Sequence, residues 1–340
     1  MKYRRLGRTE IQVSELGLGG HEYARILNPY HFPEGRQPEE QIPLNILQQT
    51  QAPRTNLVAV AIDTGINFFD TGVIEECQSL GLALQTLGRR QDVYVAAEMM
   101  GPVRRLTGVP RHEWRDILLD GLEERLAMLQ TAYIDVFHIH EIMDGYVRSQ
   151  FEVVIEVFKE AQQQGQIRFL GAADHHPPFL AELIRKYDCF DAVMIPYNFH
   201  HQTASRTLFP VCRALDVGVI VMKPFCWPYY GIPIQHFAKD AGIPTPLSIT
   251  ASSLNWILQS PDVSTIVPGT NTLQELHENV QACQQMGRID PNILDHCLEF
   301  AKGPQGRSTL HTLCQDPEIA RTRAHIRGYA ERALEGWLEH

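Results

Sequence analysis

The sequence predicts an α/β fold, a (β/α)8 TIM barrel with an N-terminal β-hairpin and a C-terminal helical extension. Three observations carry that expectation. β-rich runs at 16–19, 67–70, 93–98, 134–140, 168–172, 192–195, 219–222 and 264–267 are separated by helical patterns, the signature of a parallel sheet closed into a barrel. Residues 3–13 alternate and turn at Gly7-Arg8-Thr9, which reads as a hairpin. Beyond residue 288, apolar faces recur at 292–302 (Ile293, Leu294, Leu298) and 316–338 (Ile326, Tyr329, Leu334, Trp337), so two helices are expected to pack on the barrel or to meet another copy.

The elements between are justified in turn. In 111–129, Trp114, Ile117, Leu118, Leu122, Leu126 and Leu129 fall at steps of three and four and put one stripe against the barrel. Gly165 and Gly218, each shortly before a strand, are expected to end helices. Residues 24–53, rich in Pro, Gln and Asn, interrupt the first βα unit on the face where barrel loops build sites, and either a lid or an inert insertion is expected there. The division is therefore 1–287 for the barrel with its 24–53 insertion, and 288–340 for the extension.

Composition narrows the class. Forty acidic against thirty basic residues give a net charge of -10, which disfavours nucleic acid and anionic lipid. Seven cysteines without a Cys-x-x-Cys pair signal neither a disulfide framework nor a metal cluster. No apolar run reaches membrane-spanning or signal length, so a cytoplasmic protein with a small-molecule substrate and no membrane partner is expected. Nothing in the sequence signals an oligomeric state.

Strand side chains alternate between the barrel interior and the helix layer. Asp70 therefore lies with Phe68, Glu98 with Ala96, His138 with His140, and Lys223 with Val219 and Val221. Asp70, Glu98, His140, Asp174 and Lys223 fall at the carboxyl ends of five strands and form one polar cluster. Acid, base and ammonium together suit proton abstraction beside a carbonyl, so an isomerase, epimerase or lyase using Glu98, His140 and Lys223 is one reading. For Lys223 a structural ion pair is the plainer role. A divalent metal is a possible cofactor, because Glu98, His138, His140, Glu141, Asp174, His175 and His176 offer oxygen and nitrogen ligands. No spacing selects a ligand set among them. His175-His176 and His200-His201 also read as solvated loop residues.

The motifs Gly65-Ile66-Asn67-Phe68-Phe69-Asp70-Thr71, Tyr133 to His140, Gly165 to Gly171 and Ile266-Val267-Pro268-Gly269 together resemble the aldo-keto reductase family over about residues 1–282. That family combines Asp, Tyr, Lys and His. The resemblance implies that Asp70 and His140 match its Asp and His, that Glu98 stands at its Lys position and Glu75 at its Tyr position. The tetrad is thus degenerate, and rescue would require another tyrosine such as Tyr23, Tyr146, Tyr229 or Tyr230. It further implies cofactor contacts from Asp174, Met194, Gly269, Thr270, Asn271, Glu275 and Asn279. NAD is favoured over NADP, since Glu275 stands where Arg often meets a 2'-phosphate. The implied activity is that of a divergent NAD(P)-linked oxidoreductase on a small carbonyl or sugar-like compound. A non-catalytic nucleotide- or partner-binding barrel is the remaining reading.

Overall fold

Seven parallel strands stand side by side in chain order: β3 (Phe68–Thr71), β4 (Tyr94–Met100), β5 (Ile134–His140), β6 (Ile167–Ala173), β7 (Ala192–Pro196), β8 (Gly218–Met222) and β9 (Thr265–Ile266). The computed structural model describes residues 1–19, 44–143, 146–199, 201–225, 246–284, 299–300, 302–313 and 315. The eighth position of the ring belongs to the first β-rich run. It forms isolated parallel bridges, Leu18 to Phe69 on one side and Leu16 to Ile266 and Gly19 to Gly269 on the other. Leu18 N donates to Phe68 O and Asp70 N to Leu18 O, while Gly17 N donates to Ile266 O. These bonds close the barrel.

Alternation sorts the side chains as expected. Phe68, Ala96, Val136, Ala173, Ala192, Met194, Ile220, Met222 and Val267 form an inner cluster, and Phe69, Val95, Ala97, Phe137, Ile139, Val219 and Val221 belong to the larger layer against the helices. The hairpin, β1 (Tyr3–Arg5) paired with β2 (Gln12–Ser14), adds Leu6, Ile11 and Val13 to the inner cluster and so plugs the barrel. Arg4 straps it down, donating to Leu258 O, Ser260 O and Val263 O while pairing with Glu15 at 2.7 Å.

The helices are α1 (Leu44–Asp63), α2 (Ile74–Leu87), α3 (Pro102–Arg105), α4 (Trp114–Leu129), α5 (Arg148–Gln163), α6 (Pro177–Lys186), α7 (Thr203–Thr207), α8 (Phe209–Leu215), α9 (Pro246–Leu258), α10 (Leu273–Gln284) and α11 (Pro304–Leu313). On α4, Leu118, Leu122, Leu126 and Leu129 are buried.

Three expectations need correction or fall elsewhere. Gly165 does follow α5 in the left-handed region, at φ 79°, but α8 is ended by Asp216 at φ 54°. Gly218 instead opens β8, and a Cβ there would stand 2.5 Å from Leu6 Cδ1 of the hairpin. The last ten residues of the 24–53 segment, 44–53, are helical and belong to α1, with Pro53 inside the helix; 24–43 lie outside the described residues. The expected helices at 292–302 and 316–338 also lie almost wholly outside them. In the extension the described helix is α11, which opens on Pro304, a residue pre-set for a first helical turn.

At the amino ends of the strands, fully buried Asp135 accepts from Arg90 Nη2 at 2.8 Å, Arg168 Nη1 at 2.5 Å and Val95 N at 3.0 Å. Removing it strands a buried amide and two guanidinium groups, one of them half-exposed and able to rehydrate. Asp135→Ala should therefore lower the unfolding free energy by about 2 kcal/mol, read as a shift in the urea midpoint.

Candidate active site

The carboxyl ends of β3, β4 and β5 bring four ionisable side chains into the interior. Phe68 faces inward, so Asp70, two residues on, does too; Ala96 places Glu98 and Val136 places His138 and His140 by the same rule. The strand register sets Glu98 level with His138 and Met100 level with His140. Glu98 Oε2 lies 2.8 Å from His140 Nδ1, and both side chains are buried.

Burial alone would lower the His140 pKa, but the charge of Glu98 and its hydrogen bond outweigh that penalty and push it up to about 9. At neutral pH this shift favours the imidazolium form of His140. His140 Nε2 makes no hydrogen bond to the described residues. Asp70 is pushed the other way. Burial first, then the charges of Glu98 and Glu76, hold its carboxyl well above the usual range, with His140 and Lys223 opposing.

His138 is fully buried beneath them, and burial pushes its pKa down to about 4. Its ring fills the space that a Cβ on Gly171 of β6 would need. Neither ring nitrogen is hydrogen-bonded among the described residues. Behind the cluster, buried Arg125 of α4 donates to Glu98 O at 2.5 Å and to Gly121 O at 2.9 Å, which fixes the end of β4 from the helix side. The sequence reading missed Arg125. Its signal was a charged residue within the apolar stripe of α4, between Leu122 and Leu129.

Lys223 departs from simple alternation. Its companions by parity, Val219 and Val221, face the helices, yet its charge acts on Asp70. The reason is local: Lys223 has φ 56°, so the chain leaves the strand there and alternation no longer directs the side chain.

Glu75, expected from the resemblance to stand at the tyrosine position, is buried on α2 and supports the positive charge of Arg54 on α1, whose pKa burial pushes down to about 10. Glu76 Oε2 accepts from Gly72 N and Val73 N and caps α2. Tyr146 meets Tyr187, hydroxyl to hydroxyl at 3.2 Å, and packs on Phe151 and Phe179 rather than joining the cluster. Tyr23, Tyr229 and Tyr230 lie outside the described residues.

Asp174 follows β6 with both carboxylate oxygens on loop amides, Oδ2 accepting from Met143 N and Oδ1 from His175 N and His176 N. Met194 lies in the inner cluster. In the turn before α10, Glu275 Oε2 accepts from Asn271 N at 2.6 Å and Thr272 N at 3.2 Å, and Glu275 N donates to Thr272 Oγ1. This is a capping box. Asn279 Nδ2 donates to Thr270 Oγ1 in the buried layer below, and Gly269 bridges Gly19. Among the described residues no group of three or more His, Cys, Asp or Glu side chains is placed to hold a metal ion, and no helix is long and apolar enough to cross a membrane.

Fold and site define a parallel barrel whose strand ends carry an acid–base cluster, the arrangement of a barrel enzyme. The aldo/keto reductase family signature matches residues 44–226, more than half of the chain, and the chain belongs to that family. It is 25% identical over 309 residues to the uncharacterized oxidoreductase YqkF of Bacillus subtilis, covering 83% of this chain and 91% of the relative. It is 24% identical over 316 residues to the L-galactose dehydrogenase of Arabidopsis thaliana, with coverage of 84% and 89%. The apo form of an aldo-keto reductase from Bacillus halodurans superposes with a TM-score of 0.63 at 21% identity, covering 88% of this chain and 95% of that one.

The two histidines load the fold with opposite pH dependences. His140, raised towards 9, contributes stability that is complete below its unfolded pKa, about 6.5, and is lost as pH rises to about 9. His138, lowered to about 4, contributes stability that is complete above about 6.5 and is lost as pH falls towards about 4. Urea denaturation across pH should therefore show losses on both flanks. His138→Leu should abolish the acid-side part and, by removing two unsatisfied ring nitrogens, raise the neutral plateau by about 1 kcal/mol.

Proposed function

We propose that this chain is an NAD(P)-linked oxidoreductase for a small carbonyl or sugar-like substrate, in which His140 held on Glu98 is the proton donor. The 2.8 Å contact between these buried side chains carries the proposal. Reduction of a carbonyl needs a proton at the oxygen as it gains charge. With the Tyr and Lys positions of the family taken by Glu75 and Glu98, the imidazolium is the acid at hand. Glu98 occupies Nδ1 and orients the ring, which leaves the Nε2 proton for a substrate oxygen. Asp70, whose hold on its proton burial strengthens, faces the same region. In the direction of oxidation, His140 takes the proton back. The relative named for L-galactose supports a hydroxylated substrate.

The family's dinucleotide fits the α10 turn in one respect that bears on its type. The Glu275 carboxylate already stands on the Asn271 and Thr272 amides, so this helix start accepts an anionic oxygen. Gly269, Thr270, Asn271, Glu275 and Asn279 would hold the dinucleotide, with Met194 as an apolar wall. When bound, it supplies or accepts the hydride. The charge of Glu275 at this lip repels an added phosphate and favours NAD.

Fluorescence titration should give saturable binding, tighter for NADH than for NADPH, and Glu275→Arg should improve NADPH binding about 10-fold relative to NADH, worth about 1.4 kcal/mol. Absence of binding by either would remove the dinucleotide from this reading. With a carbonyl substrate in hand, His140→Ala should cost about 10²–10⁴ in kcat. Glu98→Gln should move the alkaline decline of reduction, set by His140 at about 9, to lower pH; an unmoved decline would reject His140 as the acid.

A further inference from the structure

We infer that Asp174 is a positioning residue, whose carboxylate ties the loops after β5 and β6 into one unit and thereby seats the ring of His175 against His140. This inference rests on the reading of His140 given above. Its grounds begin with the loops. Asp174 is the first residue past β6, where the chain enters the loop that leads to α6.

There it is 3% exposed and accepts three backbone amides. Oδ1 takes His175 N at 2.7 Å and His176 N at 3.1 Å, and Oδ2 takes Met143 N at 3.0 Å. Two of these donors belong to the β6 loop and one to the β5 loop, so a single side chain fixes the separation of the two. The β6 loop is then carried into α6, because His176 Nδ1 accepts from Phe179 N at 3.1 Å and forms the helix cap. Between Asp174 and that cap, His175 has little backbone freedom. Its ring meets that of His140 edge-on, with centroids 5.4 Å apart.

His140 is thus held on two sides, by Glu98 at Nδ1 and by His175 at the ring edge. Held by three loop amides, Asp174 works on His140 through backbone and field. Its charge adds to those of Glu98 and Glu141 in favour of imidazolium. The other charged or titratable groups facing this region are Asp70, His138 and Lys223.

Asp174→Asn separates the two halves of the role. The amide oxygen can keep His175 N and His176 N, but the amide nitrogen would face Met143 N, donor against donor. The β5 link and the charge are lost while the β6 half is retained. We expect NMR of the His140 ring in this variant to show a titration midpoint lowered by about half a pH unit or more, with weakened ring-to-ring contacts to His175 and a displaced Met143 amide resonance. A midpoint and ring contacts equal to those of the parent, even with a lower Tm, would overturn the inference and leave Asp174 as a loop brace only. Should that variant not fold, His175→Ala, at a half-buried position, gives the second measurement: the His140 ring should gain mobility in side-chain relaxation, and unchanged relaxation overturns the inference. Neither readout needs substrate or dinucleotide, so a chain without carbonyl activity would reject the oxidoreductase reading while this test still returned its own answer.

Discussion

The ring of parallel strands closes through a segment too short to be a strand in its own right. Residues 16–19 bridge β3 on one flank and β9 on the other. A parallel strand edge left open in the interior would hold unpaired amides and carbonyls, each costing free energy comparable to a lost hydrogen bond. Gly17, Leu18 and Gly19 supply the missing partners with their backbones. Once the ring is closed, every strand has a defined inside, and alternation decides which side chains share it. The polar cluster at the carboxyl ends and the hairpin plug at the other end are both consequences of that closure.

Within the closed interior, proton affinity follows from which charges burial forces together. Water would let Asp70, Glu98, His138 and His140 titrate near their ordinary values. Inside the barrel the Asp70 carboxyl is pushed up, the His140 imidazole is pushed up and the His138 imidazole is pushed down. The division turns on contact with Glu98: His140 Nδ1 lies 2.8 Å from its carboxylate, whereas at His138 burial outweighs the pull of the same charge. Arg125 steadies the backbone of Glu98 from outside the ring without entering it.

Much of this was legible before any coordinates. The strands from β3 to β9, the hairpin and the stripe of α4 all have local signatures, because a period of two or of three and four is written in neighbouring residues. The inward direction of Asp70, Glu98 and His140 followed from parity alone. Parity failed at Lys223, where a left-handed backbone ended the strand. Gly218 was misread for a related reason, since its partner Leu6 is 212 positions away in the chain. Asp174 and Glu275 carried the right polarity for a ligand, but their engagement by loop and helix-start amides could not be read from residue type.

What the sequence by itself determined is the alternation of elements and the face each strand residue presents, because those depend on chain geometry within a few residues. Only the tertiary structure decided that Glu98 pairs with His140 and not with His138, that burial pushes the Asp70 carboxyl up, and that one buried carboxylate binds two loops. These depend on distances between residues remote in the chain and on how completely water is excluded around them, and a few tenths of an ångström separate an ion pair from a buried, unsatisfied group.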